Sequence, residues 1–507
     1  MHEGMERRTL LRLMASTPAL CGLPLLTGCG GGSGASAGEN PGAGVGGGAQ
    51  AALPGTDALT HLLRRTRFAT TAADLAAAQE LGPEGYLDSQ LQAPAPTNFV
   101  YLQADARYPL TALPPPLNVV GALILDQMSR QLSERTLFLA AYSDAQLYEL
   151  VVDFWTNHFN IENVTGNLPL HKLYDDRNVI RAHAFGRFPE LLLASAQSPA
   201  MLEYLDNVSN VASGPNENYA RELMELHTLG VDGGYTEQDV VEVARCFTGW
   251  GINGGSRTFQ FQAANHDDGE KVVLGEVIPP GGGVRDGERV IEILAAHPST
   301  ARFVATKLAR RFVADAPPPA LVDAVAAEYA RTQGDIRAML RVLLSAPEFY
   351  AARNTKVRRP LEYVAQLLRS AGPASAYDGA AMFEALSRMG QIPHRWFPPD
   401  GFPDRADYWL NTAVLLEYWN LAATTAETSG LFGDATFPVQ DYDASGVEEL
   451  IDAMAAALLQ RPLRPADADL LAGLARAALP AEGAAPTQAQ ANLVAGLLLA
   501  SPYFMLR

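Results

Sequence analysis

Residues 216–250, NENYARELMELHTLGVDGGYTEQDVVEVARCFTGW, hold the densest run of charged, amide and imidazole side chains in the chain. The spacing of apolar residues predicts two short helices, the first over residues 219–229 and the second beginning at the capping sequence TEQD, residues 236–239. The glycine-containing sequence at residues 230–234 ends the first helix and turns the chain. We expect this pair of helices to form one wall of a polar pocket inside a mainly α-helical protein.

The first of these helices distributes its ionisable side chains over different faces. Arg221 and Glu225 are four residues apart on the outer face and are expected to form an ion pair. Glu222 and His227 flank the apolar face at opposite margins and diverge. This helix alone therefore does not offer the paired ligands of an HExxH metal site, and a metal ion would need ligands from other segments.

The composition limits the classes of protein to which the chain can belong. It has 507 residues, a hydrophobic share of 48%, a net charge of −18 and an isoelectric point near 5.0. The hydrophobic share is sufficient for a large core, and the negative charge argues against a nucleic acid as partner. We predict one large helical domain over residues 55–507, a mainly α, multi-helical globular body with a small β-hairpin insertion at about residues 254–283.

Cysteine is rare in this chain. Cys21 and Cys29 lie in the N-terminal leader, and Cys246 is the third. A single cysteine in the body excludes an intramolecular disulfide and a multi-cysteine metal site there. Cys246 falls inside a predicted helix and no cysteine-protease signature surrounds it, so we interpret it as a buried residue rather than a nucleophile.

The first 29 residues resemble a signal peptide. Arg7 and Arg8 form a twin arginine, and residues 13–26 are apolar but too few to span a bilayer as a stable helix. The twin arginine indicates export of an already folded protein. An ordinary basic region ahead of the apolar segment is the alternative.

A lipidation signal follows the apolar segment. LTGC, residues 26–29, resembles the bacterial lipobox, and cleavage before Cys29 would leave a lipid-modified N-terminus that holds the protein at a membrane surface. A plain secretory cleavage site is the alternative. Residues 30–54 are almost entirely Gly, Ala and Ser, cannot fold by burial, and predict a flexible tether with a span of roughly 25–30 Å.

A histidine continues the apolar stripe of a helix predicted to begin near residue 143. The stripe consists of four residues, Leu147, Leu150, Val151 and Phe154. His158 takes the next position on this face, with Asn157 and a tryptophan close by in the sequence. This imidazole therefore suits a polar pocket, where it would serve with His266 if a metal were bound. A core histidine with one backbone partner is the alternative.

Residues 254–283 change from helical to strand-like character. Residues 258–262 alternate between apolar and polar side chains, as a half-buried strand does, and residues 271–274 are expected to pair with them. His266 and Asp267 would then lie at the tip of this hairpin and contribute to the site. Asn and Asp also favour turns for conformational reasons alone, so a purely structural turn is the alternative.

Basic and aromatic segments occur later in the chain. One helix carries Lys307, Arg310 and Arg311, which we interpret as a solvent-exposed face. Residues 391–404 are rich in proline and aromatic side chains, among them Trp396, and rigid loops of this kind often form the rim of a binding cleft. Packing of a long connection is the alternative.

Several motifs together resemble a known bacterial family. They are FWTNHF at residues 154–159, MLEYLDN at 201–207, ENYARELMELHTLGV at 217–231, YTE at 235–237, TGW at 248–250, HD at 266–267 and RPLE at 359–362. The family is domain of unknown function 1800, and the similarity covers most of the chain from about residue 59. It implies an exported, largely helical protein, often encoded beside an exported family that resembles alkaline-phosphatase and sulfatase folds. Thr156 departs from the pattern, because family members often have His there, and this removes a candidate metal ligand beside His158.

The candidate site residues combine these observations. The predicted catalytic residues are Glu222, His227, His158 and His266, because burial near apolar faces would tune their pKa values. The predicted substrate-binding residues are Asn157, Asp206, Asn207, Arg221, Trp250, Asp267 and Trp396. Cys29 is the predicted lipidation site, and the sequence identifies neither a metal nor a cofactor.

Three functions fit this sequence. The first is a hydrolase acting on a cell-envelope or environmental polymer, and the second is a non-catalytic surface lipoprotein that binds a glycan or a partner protein. The third is a metal or cofactor carrier, which folded export would suit. The G-x-S-x-G pattern at residues 34–38 and the G-x-G-x-x-G patterns at residues 42–47 and 249–254 lie outside the strand–turn–helix context of a nucleophile elbow or dinucleotide fingerprint, and no P-loop pattern occurs. The expected partners are a membrane, through lipid at Cys29, and a co-encoded exported sulfatase-like protein, but no nucleic acid. The expected location is the cell envelope, facing the periplasm or the cell exterior.

Overall fold

The computed structural model describes residues 12–13, 53–95, 97–112, 122–372, 378–427, 429–430, 433–434, 437–478 and 485–507. Most of the leader predicted over residues 1–29, Cys29 itself and the tether as far as residue 52 lie outside the described residues. No helix among the described residues is both long enough and apolar enough to cross a membrane.

Helices make up most of the described chain, which confirms the mainly α prediction. The first twelve are α1 (Ala58–Thr66), α2 (Ala72–Gln90), α3 (Phe99–Arg107), α4 (Pro109–Ala112), α5 (Ala122–Tyr142), α6 (Gln146–His158), α7 (Leu168–Tyr174), α8 (Phe188–Ala196), α9 (Pro199–Tyr204), α10 (Asn218–Glu222), α11 (Glu237–Cys246) and α12 (Val284–Ala296). The others are α13 (Pro298–Phe312), α14 (Pro319–Thr332), α15 (Ile336–Ser345), α16 (Pro347–Ala351), α17 (Pro360–Ala371), α18 (Gly379–Arg388), α19 (Ala406–Trp409), α20 (Thr412–Ala426), α21 (Val447–Leu459), α22 (Pro465–Ala478), α23 (Gln488–Leu499) and α24 (Pro502–Met505).

The start of α11 shows how local sequence fixes a helix boundary. The Thr236 hydroxyl accepts a hydrogen bond from the Asp239 backbone N–H, and the Asp239 carboxylate accepts one from the Thr236 N–H. This is the predicted capping box, and it satisfies two backbone donors that the first turn leaves free. Cys246 at the other end of α11 is buried, and burial raises the pKa of its thiol to about 12. The thiol is therefore protonated at neutral pH, as its interpretation as a buried residue requires.

The strands of the described residues form short antiparallel pairs. They are β1 (Trp250–Ile252) with β2 (Phe259–Phe261), β3 (Lys271–Val273) with β4 (Glu276–Ile278), and β5 (Ser429–Gly430) with β6 (Gly433–Asp434). The predicted pairing of residues 258–262 with residues 271–274 is wrong, because each of these segments pairs with a nearer neighbour. His266 and Asp267 consequently lie in the connection between two hairpins, rather than at a hairpin tip.

Two helical stretches widen into π-helices. They are Asp175–Arg181, directly after α7, and Leu223–Thr228, directly after α10. The second stretch changes the angular position of every side chain beyond Glu222, so an ideal helix of 3.6 residues per turn misplaces His227. His227 is fully buried, with 1% exposure, instead of lying at the margin of the apolar face. Such π-helical insertions are frequent at functional sites.

A connected hydrophobic core joins the two ends of the described body. Its buried members run from Leu62 in α1 to Leu506 at the C-terminal end. The C-terminal segment is held in place by backbone pairing, because Lys356 and Arg507 exchange hydrogen bonds in both directions and the Arg358 N–H donates to Met505. The helices that carry the candidate site, α6 and α13, both contribute side chains to this hydrophobic core.

Candidate functional site: a basic cavity between α6 and α13

A cavity of about 390 Å³ lies between α6, α13 and the loop before α19. We call it the α6–α13 cavity. Its walls are formed by Phe154, Asn157 and His158 of α6, by Phe303, Lys307, Arg310 and Arg311 of α13, by Arg359, by residues 400–405 and by Tyr408. Its size and mixed lining are those of a small-molecule or single-residue binding pocket.

His158 presents a neutral imidazole to this cavity. Its Nε2 lies 3.0 Å from the carbonyl oxygen of His227, and a carbonyl can only accept, so Nε2 carries the proton. The other nitrogen, Nδ1, is therefore an acceptor, and it is buried without a hydrogen-bond partner among the described residues. Burial first, and then the positive charge of Lys307, hold the pKa of His158 well below its usual range.

His227 lies directly behind His158. The centroids of the two imidazole rings are 6.1 Å apart, and the Nε2 atom of His227 is also buried, with no hydrogen-bond partner in the described part of the chain. Burial and Lys307 lower the pKa of His227 to about 3. The structure thus brings two of the predicted catalytic histidines together, both uncharged at neutral pH.

Lys307 and Arg310 supply the positive charge of the cavity. Burial and the neighbouring Arg310 lower the pKa of Lys307 to about 8, although Asp400 and Asp404 act in the opposite direction. Lys307 forms no ion pair within the described part of the chain, and its Nζ lies 5.4 Å from the centroid of the Phe303 ring. The Arg310 Nε donates to the Asp315 carbonyl oxygen at 3.2 Å, and none of its terminal nitrogens reaches a described partner.

The predicted solvent-exposed face of this helix is wrong. Arg311 is 1% exposed, and Lys307 and Arg310 are partly buried in the cavity wall. The physical reason is that residues 400–405 lie opposite this side of α13 and form the facing wall of the cavity, which reduces the exposure of its basic side chains.

A buried ion network forms the inner wall. Arg311 lies 3.2 Å and Arg359 lies 2.6 Å from Asp153, and Arg311 also contacts Glu362. Arg507 approaches Glu362 at 2.9 Å. Each of these three arginines forms an ion pair with Asp153, Glu362 or both, which distinguishes them from Lys307 and Arg310.

Asn157 attaches the covering loop to α6. Its Nδ2 donates to the Phe402 carbonyl oxygen at 2.9 Å, and its Oδ1 accepts from the Phe402 N–H at 2.7 Å. Gly401 packs directly against Asn157 with a φ of +77°, a conformation that favours glycine. Asn157 therefore positions the cavity wall through the loop backbone, because its amide is already used for that purpose.

Trp396 lies on the same loop but does not line the cavity. Its Nε1 donates to the Asp400 carboxylate at 3.0 Å, and its ring contacts those of Phe402 and Tyr408 with centroid separations of 4.9 and 6.1 Å. Asp404, further along the loop, lies 3.0 Å from Lys356. Burial alone would raise the pKa of Asp404, but the neighbouring cations hold it at about 2.

Glu222 does not line the cavity but belongs to the same electrostatic environment. It is half-buried, and burial, the adjacent Glu225 and Asp400 raise its pKa above the usual value. It has no hydrogen bond or ion pair among the described residues. Its neighbour Arg221 is instead paired with Glu225 at 3.7 Å, as predicted, and more closely with Glu237 at 2.7 Å.

His266 lies in a separate polar cluster and does not contribute to the cavity walls. Its Nδ1 is 2.8 Å from the Thr248 carbonyl oxygen, and its Nε2 is 3.2 Å from Asp286, which Lys271 also approaches at 2.5 Å. Asp267 beside it forms an ion pair with Arg245 at 2.8 Å. Both side chains are therefore engaged in hydrogen bonds and ion pairs that stabilise the local structure.

The remaining predicted residues hold the hairpin end of the molecule together. The Asn207 Nδ2 donates to the carbonyl oxygens of Phe247 and Trp250, at 3.3 and 3.1 Å. Trp250 is buried and packs closely against Gly287, whereas Asp206 is exposed in a left-handed turn with a φ of +58°. None of these three residues lines the α6–α13 cavity.

Lys307, Arg310, Asp400 and Asp404 were missed by the sequence analysis as site residues. A signal for the first two was present, because Phe303, Lys307 and Arg310 recur at spacings of four and three, which is the spacing of an inward-facing stripe. Basic side chains on such a stripe are compatible with a buried basic pocket, and not only with a solvent-exposed face. Among the described residues, no group of three or more His, Cys, Asp or Glu side chains could hold a metal ion.

Comparisons with known proteins place nearly the whole described body in one family. The family model with the description "Protein of unknown function (DUF1800)" matches residues 61–506. No curated protein and no solved structure matches the chain. The matched range contains every residue of the α6–α13 cavity.

Proposed function

This chain belongs to the DUF1800 family, and on that premise we propose that its α6–α13 cavity binds the negatively charged group of a ligand. The observation that carries the proposal is the pair formed by Lys307 and Arg310, two cations in the cavity wall that form no ion pair with a carboxylate of the described residues. Partial removal of an unpaired ammonium from water is unfavourable. A bound anion would offset this cost.

His158 keeps this part of the cavity wall uncharged. Burial, and then the charge of Lys307, hold its pKa well below the usual range. The imidazole therefore does not compete with Lys307 and Arg310 for the anion. The proposed ligand presents an acidic group to Lys307 and Arg310.

We also propose that the protein acts at a membrane surface. The twin arginine, the lipobox that ends at Cys29 and the tether that follows support export and attachment through lipid, facing the periplasm or the cell exterior. The proposed partners are the membrane and a co-encoded exported sulfatase-like protein. The net charge of −18 disfavours a nucleic acid.

Anion binding is tested on the purified protein by calorimetric titration with sulfate, phosphate and acetate. We expect Lys307→Gln to weaken the binding of the preferred anion by about 10-fold or more, the usual effect of removing a hydrogen bond to a charged group. Binding by the unaltered protein should also weaken as the pH rises through about 8, where Lys307 loses its proton.

The control for this substitution lies on the same helix. Arg302 is exposed and paired with Asp323, so Arg302→Gln should leave the affinity unchanged. If none of the three anions binds, or if both variants bind as the unaltered protein does, the proposed function is wrong.

Hydrolysis of the bound ligand is a second candidate function, favoured by Glu222. This half-buried carboxyl has a raised pKa and no described partner, and the charge of Asp400 contributes to the shift. A carboxyl group with a raised pKa can act as a general acid in hydrolysis, and Glu222 would donate the proton.

The hydrolase hypothesis predicts that substitution of Glu222 affects turnover but not the binding of small anions. With a panel of acidic envelope polysaccharides, Glu222→Gln should abolish the release of reducing ends and leave the affinity for small anions intact. Glu225→Gln is the matched control, because Glu225 is on the same helix but is paired with Arg221. Retained turnover in Glu222→Gln would remove this candidate function and leave binding as the proposal.

A further inference from the structure

We infer that the ligand is an acidic glycan chain, whose acidic group enters the α6–α13 cavity while neighbouring sugar rings rest on an aromatic rim. The aromatic rim consists of Trp396, Phe397, Phe402 and Tyr408. This inference rests on the proposed anion-binding function and names the class of ligand that carries the anion.

The aromatic rim continues the cavity outward. Phe402 and Tyr408 belong to the cavity lining, and Trp396 contacts both of them through its ring. Phe397 follows Trp396 in the chain, and neither of these two residues lines the cavity. A ligand that contacts both the cavity and the whole rim therefore extends beyond the cavity, as a chain does and a single small anion does not.

The aromatic surface of the rim is unusually exposed. Phe397 is 75% and Tyr408 is 43% accessible to solvent, and Tyr408 lines the charged cavity. An exposed aromatic ring contributes most to the binding free energy when a partner with an apolar face covers it. A sugar ring offers such a face through its C–H groups, and its hydroxyls remain available at the edge.

This exposure is not the consequence of a loosely held loop. The Asn160 Nδ2 donates to the carbonyl oxygens of Trp396 at 2.9 Å and of Pro398 at 2.7 Å. The Tyr204 hydroxyl donates to the carbonyl oxygen of Phe397 between them. Three consecutive carbonyls are thus fixed, so the rim is preorganised and little conformational entropy is lost when a ligand binds.

Charged groups between the rings favour a glycan over a lipid or an apolar peptide. Asp400 is exposed beside Trp396, and Arg405 and Asp407 form an exposed ion pair at 2.7 Å just before Tyr408. A continuous apolar partner would remove these charges from water without replacing their hydrogen bonds. Sugar hydroxyls can donate to the carboxylates and accept from the guanidinium while the ring covers the aromatic surface.

Titration calorimetry with defined oligomers tests the inference. The probes are hexagalacturonate, its fully methyl-esterified neutral form, a sulfated hexasaccharide, hexaglutamate and the small anions used for the cavity. We expect at least one acidic hexasaccharide to bind more tightly than the small anion of the same acidic group, because it adds contacts with the rim. The two acidic glycans separate a carboxylate from a sulfate as the recognised group.

Variants of the aromatic rim then distinguish contacts with the sugar rings from contacts with the acidic group. Phe397→Ala and Tyr408→Ala should each weaken binding of the acidic hexasaccharide about 3- to 10-fold, as expected for the loss of one aromatic contact. Phe397→Ala should leave the affinity for the small anion unchanged, because Phe397 does not line the cavity. Phe99→Ala is the control, because Phe99 is 70% exposed on α3 and belongs to neither the cavity nor the rim.

The outcomes distinguish this inference from the proposed function. Small-anion binding that depends on Lys307, without any gain for an acidic hexasaccharide or any effect of the rim variants, overturns the glycan and leaves anion binding standing. Equal, rim-dependent binding of hexaglutamate also overturns it, since the partner would then be an acidic peptide. Binding of the neutral ester as tightly as the acid contradicts the acidic assignment. Absence of any small-anion binding contradicts the proposed function itself.

Discussion

Replacement of Glu362 by alanine is expected to lower the free energy of unfolding by about 3–5 kcal/mol. Glu362 is fully buried and lies 2.9 Å from Arg507 and 3.6 Å from Arg359, and it also contacts Arg311. Its Oε2 additionally accepts the Arg359 backbone N–H at 3.0 Å. Truncation would leave buried guanidinium groups without their counter-charge, which is the costly way to break a buried ion network.

The same carboxylate predicts how stability depends on pH. Burial acts to raise the pKa of Glu362, but Arg311, Arg507 and Arg359 outweigh it and hold this pKa well below its usual range. A group with a depressed folded-state pKa stabilises the fold fully above its unfolded-state pKa. That contribution is lost as the pH falls through the folded-state value. The difference between the unaltered protein and Glu362→Ala should therefore be largest near neutral pH and shrink in strong acid.

Urea denaturation of both proteins at neutral and acidic pH measures this effect. Glu384→Ala is the control, because Glu384 is exposed on α18 and its loss should change the stability by no more than about 0.5 kcal/mol. Equal stabilities of Glu362→Ala and Glu384→Ala at neutral pH would show that the arginines do not depend on Glu362.

Gly401→Ala is expected to destabilise the protein by about 2–4 kcal/mol and to weaken anion binding. The residue has a φ of +77°, which costs about 1–2 kcal/mol for a residue with a Cβ. The added Cβ would also collide with the Asn157 backbone oxygen and lie 2.9 Å from its Cγ, and overpacking of this kind adds about 1–3 kcal/mol. Because the loop covers Lys307, its displacement would open the cavity to water.

Gly390 provides a matched control for this substitution. Its φ of +75° is nearly the same, but nothing lies within 4 Å of a Cβ added there. Gly390→Ala should therefore show the conformational cost alone and leave anion affinity unchanged. Denaturation and titration of both variants separate the two contributions, and equal losses of stability would contradict the close packing of Gly401 against Asn157.

The helical architecture could be predicted from sequence because its signals are local. The capping pair Thr236 and Asp239 formed as predicted, since both residues lie within one turn. The strand pairing could not be predicted in the same way. Alternating side chains identify residues 258–262 as a strand, but they do not identify its partner, which is Trp250–Ile252.

The site was predictable where an apolar stripe carries a polar residue and unpredictable where distant segments meet. His158 was identified from its place on such a stripe. The pocket wall predicted over residues 216–250 is not part of the cavity that His158 lines. The environment of Lys307 depends on a loop almost 100 residues later in the chain, which no local periodicity encodes. The burial of His227 depends on a π-helical stretch, which shifts side chains away from the positions of an ideal α-helix.

The central claim is that Lys307 and Arg310 form an anion-binding site beside His158. Anomalous diffraction from a crystal soaked in sodium selenate, collected at the selenium edge, tests it most directly. We predict a selenium peak in the α6–α13 cavity, with selenate oxygens within hydrogen-bonding distance of the Lys307 Nζ and the Arg310 guanidinium, and no such peak in Lys307→Gln. A cavity without selenium density, or a Lys307 Nζ bonded to a protein carboxylate, would contradict the claim.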